Sequence, residues 1–448
     1  MNSDINENFD WQNVKVTPDG KYLRSSFPGL WKPSAERGNH SLSPSEWLQG
    51  KRELDDVGDY WRVYNKLYNL ESFIQKHPGG SDWIEMTRGT DITEAFEASH
   101  VVNVNKVEAV LAKYYVKDAE HPRNSPYTFK EDGFYKTLKR RVEPVFKKHG
   151  VSPTQRILWT QDILAIGFIT LSILAAWSEN FVLTIVAGLF LGLSTTAAHN
   201  SFHLRDSFRK YYFDLSAWSS YEWRISHALS HHLFPNTILD YEIAVFEPWL
   251  EMLPSRPKTF FQRYGSLVYA HLIYCVMMPQ DCVRRAHLWY LGKTKPRPEN
   301  FIILLELLTY IYFAPSVWAG VRCWLIVLAV ASYWVGLVGI NAAHHHPDCF
   351  HDGDDPRQDP DFGLCQLDAT IEKAEEIHKT EFAILTTFGE HPLHHLFPAV
   401  CHSKLHLVKP IFEKTLEEFL GRNRSLSQLE LFIGTHKQLA RMTPNKGQ

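Results

Sequence analysis

The chain has 448 residues, of which 44% are hydrophobic and 22% are charged, and its formal net charge is −3. This composition is typical of a globular chain, and the charge excludes nucleic-acid binding driven by bulk positive charge. The six cysteines form no Cys-x-x-Cys pair, which argues against a disulfide-stapled secreted domain or a thiolate zinc finger and favours a reduced compartment.

The first third of the chain predicts three regions before any long apolar stretch. Residues 1–55 are polar and rich in Pro, Gly and Ser, and they carry no apolar run typical of a cleavable signal peptide, so we expect a lead segment that is not a domain by itself. Residues 56–120 alternate short strands with short amphipathic helices, which predicts a small α+β domain. Residues 121–155 are basic and predict a linker near a membrane surface.

Residues 156–448 predict an all-α membrane domain with four transmembrane helices. The apolar stretches are 157–177, 181–198, 301–320 and 323–340, arranged as two hairpins. A helix of about 20 residues crosses a bilayer core, at ~1.5 Å per residue. A shorter stretch, 265–278, contains a histidine and predicts an interfacial or re-entrant segment.

Lysine and arginine placement predicts how the chain crosses the membrane. The basic residues lie before the first stretch, between the second and third, and after the fourth, whereas the hairpin turns hold only Arg322. By the positive-inside rule both termini and all histidine clusters are expected in the cytosol.

The α+β region contains a motif that suits a haem. His77-Pro78-Gly79-Gly80 forms a turn that no helix continues through, and His100 follows 23 residues after His77. A six-coordinate haem needs one histidine on each wall of an apolar cleft. Six side chains could form these walls: Phe73, Ile74, Trp83, Ile84, Phe96 and Val107.

This region resembles cytochrome b5, which implies a haem b with His77 and His100 as axial ligands. A haem with both axial positions filled carries electrons. An acidic rim could then steer a basic reductase into place, although a merely solvated face is the alternative. The rim consists of Asp82, Glu85, Asp91, Glu94 and Glu97.

Histidines recur at helix spacing in the second half of the chain. Residues four apart on a helix share a face, so their imidazoles can reach one metal. A structural zinc takes four ligands, whereas two six-coordinate irons need about eight to ten donors, and imidazole suits iron. Nine positions fit this spacing: His199, His203, His227, His231, His232, His344, His391, His394 and His395. Five others fall outside it and are expected to be ordinary polar or supporting residues: His346, His351, His378, His402 and His406.

Residues 155–420 resemble the membrane fatty-acid desaturase family, so the whole chain is similar to a cytochrome b5-fused desaturase. The resemblance implies that the nine histidines bind two iron ions, with His345 as the alternative to His344 and Asn341 as a possible holder of a metal-bound water. Asn200 stands where many relatives have Asp, and His391 stands where fused relatives usually have Gln. These two departures leave the substrate class and the position of attack open.

The resemblance implies O2-dependent desaturation of a fatty acyl chain in the endoplasmic reticulum membrane. Electrons would pass from NADH-cytochrome b5 reductase through the fused haem domain to the diiron centre, and the partners would be the lipid substrate and the bilayer. Acyl hydroxylation and a non-catalytic, membrane-anchored electron carrier are the alternatives. Spacing alone does not separate desaturation from hydroxylation.

Overall fold

The computed structural model describes residues 20–33, 42–340 and 343–446. The lead segment forms a two-stranded antiparallel sheet, β1 (Tyr22–Arg24) and β2 (Trp31–Pro33), followed by helix α1 (Pro44–Asp55). Ser43 and Glu46 form a capping box that fixes the start of α1. The lead segment therefore packs onto the rest of the chain, because Trp47 in α1 donates its indole N–H to the carbonyl of Leu239 at 2.9 Å.

The α+β region is a three-stranded antiparallel sheet with helices packed on it. Its elements are β3 (Trp61–Val63), β4 (Lys66–Tyr68), α2 (Ser81–Met86), α3 (Thr93–Ser99), α4 (Val104–Leu111) and β5 (Tyr115–Asp118), with sheet order β3-β4-β5. The buried core of this unit consists of Trp61, Val63, Tyr68, Leu70, Ile74, Ile84, Ile92 and Phe96.

The predicted linker contains a 16-residue helix, α5 (Phe134–His149). One face of α5 is buried and apolar, with Phe134, Leu138, Val142 and Phe146 facing a core shared with the helices of the carboxyl-terminal half. On another side of α5, Lys136 and Lys139 lie against the α+β unit. This basic stretch therefore joins the two halves of the protein by packing and not as an extended tether.

The second half of the chain is helical apart from one small sheet. Two helices form the first hairpin, α6 (Gln155–Ser178) and α7 (Phe181–His203). The other helices are α8 (Ser220–Trp223), α9 (Tyr241–Ala244), α10 (Ser266–Tyr290), α11 (Ile302–Phe313), α12 (Val317–Val335), α13 (Phe362–Asp368), α14 (Glu381–Thr387), α15 (His391–Leu396), α16 (His402–Leu405), α17 (Lys409–Glu418) and α18 (Gln428–Ala440). Strands β6 (Glu372–Lys373) and β7 (Ser425–Leu426) pair in parallel.

Three helices are long and apolar enough to cross a membrane by length and composition: α6, α7, and α12 with its extension to Ile340. Their outer faces are apolar as well, since Ile163 and Ile166 in α6 are 64% and 62% exposed. The inner faces pack closely where small residues allow it. A Cβ built on Gly188 of α7 would lie 2.6 Å from the Cβ of Val330 in α12, so the two backbones approach closely here.

The prediction of a fourth transmembrane helix over 301–320 is wrong. Helix α11 has 12 residues and ends at Phe313, so it is about 18 Å long at ~1.5 Å per residue. Pro315 follows, and Ser316 caps α12 by accepting a hydrogen bond from the backbone N–H of Ala319. The residue before a proline disfavours the helical conformation, and Ala314 is extended here with ψ 155°. Ser316 starts a new helix, so the boundary lies near residue 315 and Arg322 lies inside α12.

The stretch predicted as a short interfacial segment over 265–278 is part of a longer helix. Helix α10 has 25 residues and contains Pro279. Its carboxyl-terminal part carries Asp281, Arg284 and Arg285, and α10 packs along α12. These charges interrupt the apolar character of α10, which therefore does not count among the three candidate spans.

Ion pairs and backbone contacts relate the ends of the apolar helices. Arg322 pairs with Glu179 at 3.2 Å, so the turn between α6 and α7 lies beside the start of α12. At the other end, the amide of Cys401 donates to the carbonyl of Val151 at 2.8 Å, just before α6 begins. The chain before α6, the end of α7 and the chain after α12 thus lie at one end of the helices.

Candidate haem and diiron sites

His77 and His100 face each other across a gap in the α+β unit. Their ring centroids are 6.3 Å apart. The Nδ1 of His77 contacts the carbonyl of Gly80 at 2.9 Å, and the Nδ1 of His100 contacts the carbonyl of Phe96 at 2.8 Å. With metal–nitrogen bonds of about 2 Å, this separation leaves room for one iron between the two rings.

The surroundings of these two histidines suit a neutral axial ligand. Burial lowers the pKa of His77 and lowers the pKa of His100 to about 4, so both imidazoles stay uncharged at neutral pH and keep a free lone pair. The residues present therefore fit a bis-histidine haem.

Five of the six predicted wall residues belong to the apolar cluster of this unit: Phe73, Ile74, Ile84, Phe96 and Val107. Trp83 does not. It packs against the core shared with the helical half, and the guanidinium of Arg224 lies 4.8 Å from the centre of its ring. The prediction for Trp83 is wrong because the α2 helix turns this side chain outward, toward the helical half.

Eight of the nine helix-spaced histidines lie in two adjacent buried groups. The first group is His199, His203, His227, His232 and His394, whose nearest ring nitrogens lie within 4.8 Å of one another. The second group is His231, His344 and His395, whose nearest ring nitrogens also lie within 4.8 Å of one another. His391 adjoins the second group, with its Nε2 2.6 Å from the Nε2 of His344.

A π-helical turn explains how neighbouring histidines divide between the groups. Residues Arg224–His231 form this turn, and the amide of His232 donates to the carbonyl of His227 at 2.8 Å. In a π-helix, residues five apart lie on one face. His227 therefore shares the first group with His232, and His231 belongs to the second group. His227 and His231 still lie close together, as the sequence predicted, since they form a third group with Glu242 within 4.8 Å.

Side chains and carbonyls outside the groups orient the rings. The Nδ1 of His227 contacts Glu242 at 2.7 Å, and the Nδ1 of His231 contacts Asp240 at 3.0 Å. The remaining contacts of this kind are His344 Nδ1 with the carbonyl of Ala369 at 2.9 Å and His395 Nδ1 with Gln366 Oε1 at 3.0 Å. Each contact leaves the Nε2 atom to face a metal, an arrangement common around metal-bound histidines.

Burial keeps most of these imidazoles neutral, since it lowers the pKa of His232, His344 and His395 well below its usual value. His231 differs. Burial lowers its pKa as well, but the charges of Asp240 and Glu242 outweigh burial and raise the pKa to about 9. Burial raises the pKa of Glu242, yet His227 and His231 bring it down to about 2, so it is a carboxylate.

The donor set fits two nitrogen-bound irons. The Nε2 atoms of His394 and His395 are buried without a hydrogen-bond partner among the described residues. Unpaired buried polar atoms are costly, which indicates that these atoms have a partner of another kind. Imidazole nitrogens are suitable ligands for iron.

Other histidines near the site have different surroundings. His402 is buried, and its ring centroid lies 4.0 Å from that of His394. It therefore lies directly beside the first group, although its position in the sequence does not follow the helix spacing. His345 turns toward His351, with ring centroids 5.9 Å apart, whereas His344 points into the second group. Asn341 lies outside the described residues.

Sequence reasoning missed the supporting residues Asp240, Glu242 and Gln366. They lie between nine and 29 positions from the histidines they contact, as the contacts of His231 and His395 show. No periodicity connects such positions, so no sequence signal marks them.

The predicted acidic rim is wrong for Asp91, Glu94 and Glu97, which are 7%, 1% and 0% exposed. Arg123 forms ion pairs with Asp91 at 2.6 Å and with Glu94. Glu97 lies between Lys136 and Lys139 of α5, each 2.7 Å away. The basic partners of these carboxylates therefore come from the same chain.

A cavity opens beside the histidine groups. Its wall includes His227, His231, His344 and His391, so the possible metal ligands face it directly. Arg284 lines it too and forms ion pairs with Glu222 at 2.8 Å and Asp281 at 2.6 Å. The apolar and aromatic lining includes Pro44, Trp218, Trp223, Tyr241, Val245, Phe246, Met277, Val335, Ile340 and Phe388, and the wall also holds Glu222, Glu242 and Asp281.

Comparison with protein families gives two matches. Residues 171–425 match the family described as fatty acid desaturase, and residues 46–120 match the cytochrome b5-like heme/steroid binding domain. The first match implies iron in the helical half, and the second implies haem in the α+β unit. Together with the three apolar helices, they indicate a membrane protein with a fused electron-transfer domain.

Individual relatives match most of the chain. The cytochrome b5-related protein of Drosophila melanogaster is 37% identical over 418 residues, covering 91% of this chain and 94% of that protein. The acyl-lipid (8-3)-desaturase of Physcomitrium patens is 27% identical over 446 residues, covering 86% of this chain and 89% of the relative. The acyl-lipid (8-3)-desaturase of Mortierella alpina is 23% identical over 398 residues, with coverages of 80% and 87%. The predicted resemblance to both families is confirmed.

Proposed function

Because the chain belongs to the fatty acid desaturase family and carries a cytochrome b5-like domain, we propose that it desaturates a fatty acyl chain at a diiron centre. Electrons reach this centre through the fused haem domain. The observation that carries the proposal is the meeting of nine histidines, distant in sequence, beside one cavity: eight lie in two adjacent buried groups, and His391 adjoins the second.

The proposed metal ligands follow from these groups. One iron would be held by His199, His203, His227, His232 and His394, and the other by His231, His344, His391 and His395. The haem would be held by His77 and His100. When bound, the reduced iron pair supplies the O2-dependent oxidation of an aliphatic C–H bond, which protein side chains alone do not achieve.

The chain's own residues prepare this site in three ways. Burial keeps most of the imidazoles uncharged, with His231 as the exception. Glu242 and Asp240 hold the rings of His227 and His231 in one orientation. The acidic charge of Glu242 also balances part of the positive charge that two metal ions would bring.

The cavity supports an acyl substrate. Its lining is largely apolar and aromatic, which suits a hydrocarbon chain, and ligand histidines form part of its wall. The Nη1 of Arg284 is buried and has no hydrogen-bond partner among the described residues. That donor is suited to the carbonyl oxygen of the acyl group, whose position would then fix which carbon lies beside the metals.

The environment we propose is the endoplasmic reticulum membrane, with both termini and both metal sites on the cytosolic side. Lysine and arginine placement supports this orientation. So does the position of the chain before α6, the end of α7 and the chain after α12 at one end of the helices. The electron donor would be NADH-cytochrome b5 reductase, on the cytosolic face.

Expression of the full chain in yeast, followed by analysis of cellular lipids, tests the proposal. We expect new alkene-containing acyl chains, absent when His231 is replaced by Ala and unchanged in a His406→Ala control, since His406 is exposed. New hydroxylated chains instead would identify a hydroxylase. No new lipid, with haem still reducible by NADH, would identify an electron carrier and contradict the proposal.

A further inference from the structure

The haem domain touches the helical domain through a compact group of charges. Arg224 reaches from the helical half and contacts Asp82 of α2 at 3.3 Å through Nη1 and Asp206 at 2.5 Å through Nη2. Lys210 lies 3.5 Å from Asp82 and 3.1 Å from Asp206. The flat guanidinium also lies over the ring of Trp83. One arginine thus joins carboxylates from the two domains.

Arg224 is placed between the two redox sites along the chain. It is the first residue of the π-helical turn that carries His227 and His231. Its partner Asp82 stands five residues after His77, in the helix that follows the Pro-Gly-Gly turn. The group therefore connects the helix bearing possible iron ligands to the segment bearing a possible haem ligand.

The surroundings of Gly80 show how closely the two domains fit. A Cβ built on Gly80 would lie 2.3 Å from Oδ2 of Asp206, so a larger residue here would displace the Asp206 side chain. Gly80 also has φ +117°, a conformation that side chains disfavour. Its carbonyl contacts the Nδ1 of His77 at 2.9 Å. The loop that orients His77 thus lies directly on the helical domain.

The chemistry of the group favours one fixed orientation. Arg224 is 1% exposed, and a planar guanidinium binds two carboxylates and an aromatic face at once, as lysine does not. Two carboxylates face two cations, so the group carries no net formal charge. The side chains of Asp82 and Asp206 are 22% and 35% exposed, but the guanidinium is buried. Loss of its partners would leave a buried charge without compensation, which costs more than breaking an exposed ion pair.

We propose that Arg224 is a positioning residue that docks the haem domain onto the desaturase domain and holds the His77 loop next to the His227 turn. This inference rests on the proposed function, because the docking serves electron delivery from the haem to the diiron centre within one chain. Electron transfer slows steeply with distance. A fixed contact between the two domains therefore favours fast electron delivery from the haem to the iron site, with no second protein needed for this step.

Two variants and one control test this docking in the full-length protein with haem and iron bound. Arg224→Gln removes the bridge, and Asp82→Asn removes its partner in the haem domain, whose side chain is 22% exposed. The second variant keeps the test valid should the first not fold. Glu85→Gln is the control, because Glu85 carries the same charge on the same helix but is exposed to solvent.

The first readout is hydrogen–deuterium exchange of residues 77–86 and 220–227, which reports the contact itself. The second is the rate at which ferrous haem is reoxidised in oxygenated buffer, measured before and after the non-haem iron is removed by a chelator. The haem absorption spectrum checks that His77 and His100 still hold the cofactor.

Both variants are expected to exchange faster at the two segments and to lose at least about tenfold of the iron-dependent reoxidation rate, the equivalent of ~1.4 kcal/mol in the barrier. The control and the haem spectrum should not change. Native exchange and native reoxidation in both variants would overturn the proposal, as would faster exchange with unchanged reoxidation.

The outcome for the proposed function is separate. If the unmodified chain shows no iron-dependent reoxidation, the desaturase assignment fails. In that case, faster hydrogen–deuterium exchange of the two segments in Asp82→Asn would still support Arg224 as the residue that docks the haem domain.

Discussion

Individual contacts decide which nitrogen each histidine offers to a metal. A ring whose Nδ1 is held by a carboxylate or carbonyl presents Nε2, and four of the eight histidines in the two groups have such a holder. The histidines themselves could be predicted from sequence because helix spacing marks them. Their holders could not, because Glu242 and Gln366 come from other elements with no fixed spacing.

Glu242→Gln is expected to weaken iron binding by roughly 10–100-fold, the usual cost of losing a supporting partner of a metal ligand. The amide can still accept a hydrogen bond from His227, but it lacks the charge that favours a metal-bound imidazole. Iron retained after competition with a graded chelator measures the effect. Glu413→Gln, on an exposed position of α17, is the control, and equal iron retention in the two variants would contradict this role.

Glu97→Gln is expected to lower the free energy of unfolding by about 3 kcal/mol, because Lys136 and Lys139 would remain buried without their counter-charge. Glu131→Gln is the control: its carboxylate, 80% exposed, pairs with Arg140, and the expected loss is below about 1 kcal/mol. Chemical denaturation compares the two variants. Equal losses would show that the Glu97 contacts do not stabilise the interface.

The contribution of Glu97 to the free energy of unfolding is expected to change with pH in a defined direction. Burial raises the pKa of Glu97, but Lys139 and Lys136 outweigh burial and lower it below its usual value. A lowered carboxyl pKa stabilises the fold above the unfolded-state pKa of about 4.3, and this contribution is lost as pH falls through the folded-state pKa. The stability difference between the native chain and Glu97→Gln should therefore be constant at neutral pH and shrink below about pH 4.

At the scale of elements, the apolar stretches were predicted well where they were uninterrupted. Helices α6 and α7 contain the predicted stretches 157–177 and 181–198. The third stretch failed because hydropathy averaged over a window does not register a single proline, and Pro315 with the capping Ser316 divides it. The π-helical turn was equally invisible, since no residue type marks the shift of its backbone hydrogen bonds to partners five residues back, as from His232 to His227.

Helix α10 supplies part of the cavity wall, and Met277→Trp should obstruct it. The larger ring would fill space that an acyl chain needs, so the yield of lipid product should fall by roughly tenfold or more, equivalent to a loss of at least ~1.4 kcal/mol in substrate binding. Haem and iron content should not change. Val276→Trp is the matched control, because Val276 is 50% exposed on the same helix. Equal product from both variants would show that this cavity does not hold the substrate.

At the scale of the whole molecule, the two domains form one packed structure. The order of an α+β unit followed by a helical domain could be predicted from composition and motifs. The relation between them could not, because carboxylates such as Asp91 and Glu97 look solvent-facing when only their own helices are considered. Their partners Arg123, Lys136 and Lys139 lie outside the α+β core and meet them only through folding.

The iron content of the purified full-length chain tests most directly whether the histidine groups form a diiron centre. Total iron is measured by elemental analysis and haem by its pyridine complex, in the same sample, for the native chain and for His231→Ala. The native chain should contain one haem and two further irons, and the variant should keep its haem while losing non-haem iron. A native chain whose iron is fully accounted for by haem would contradict the diiron assignment.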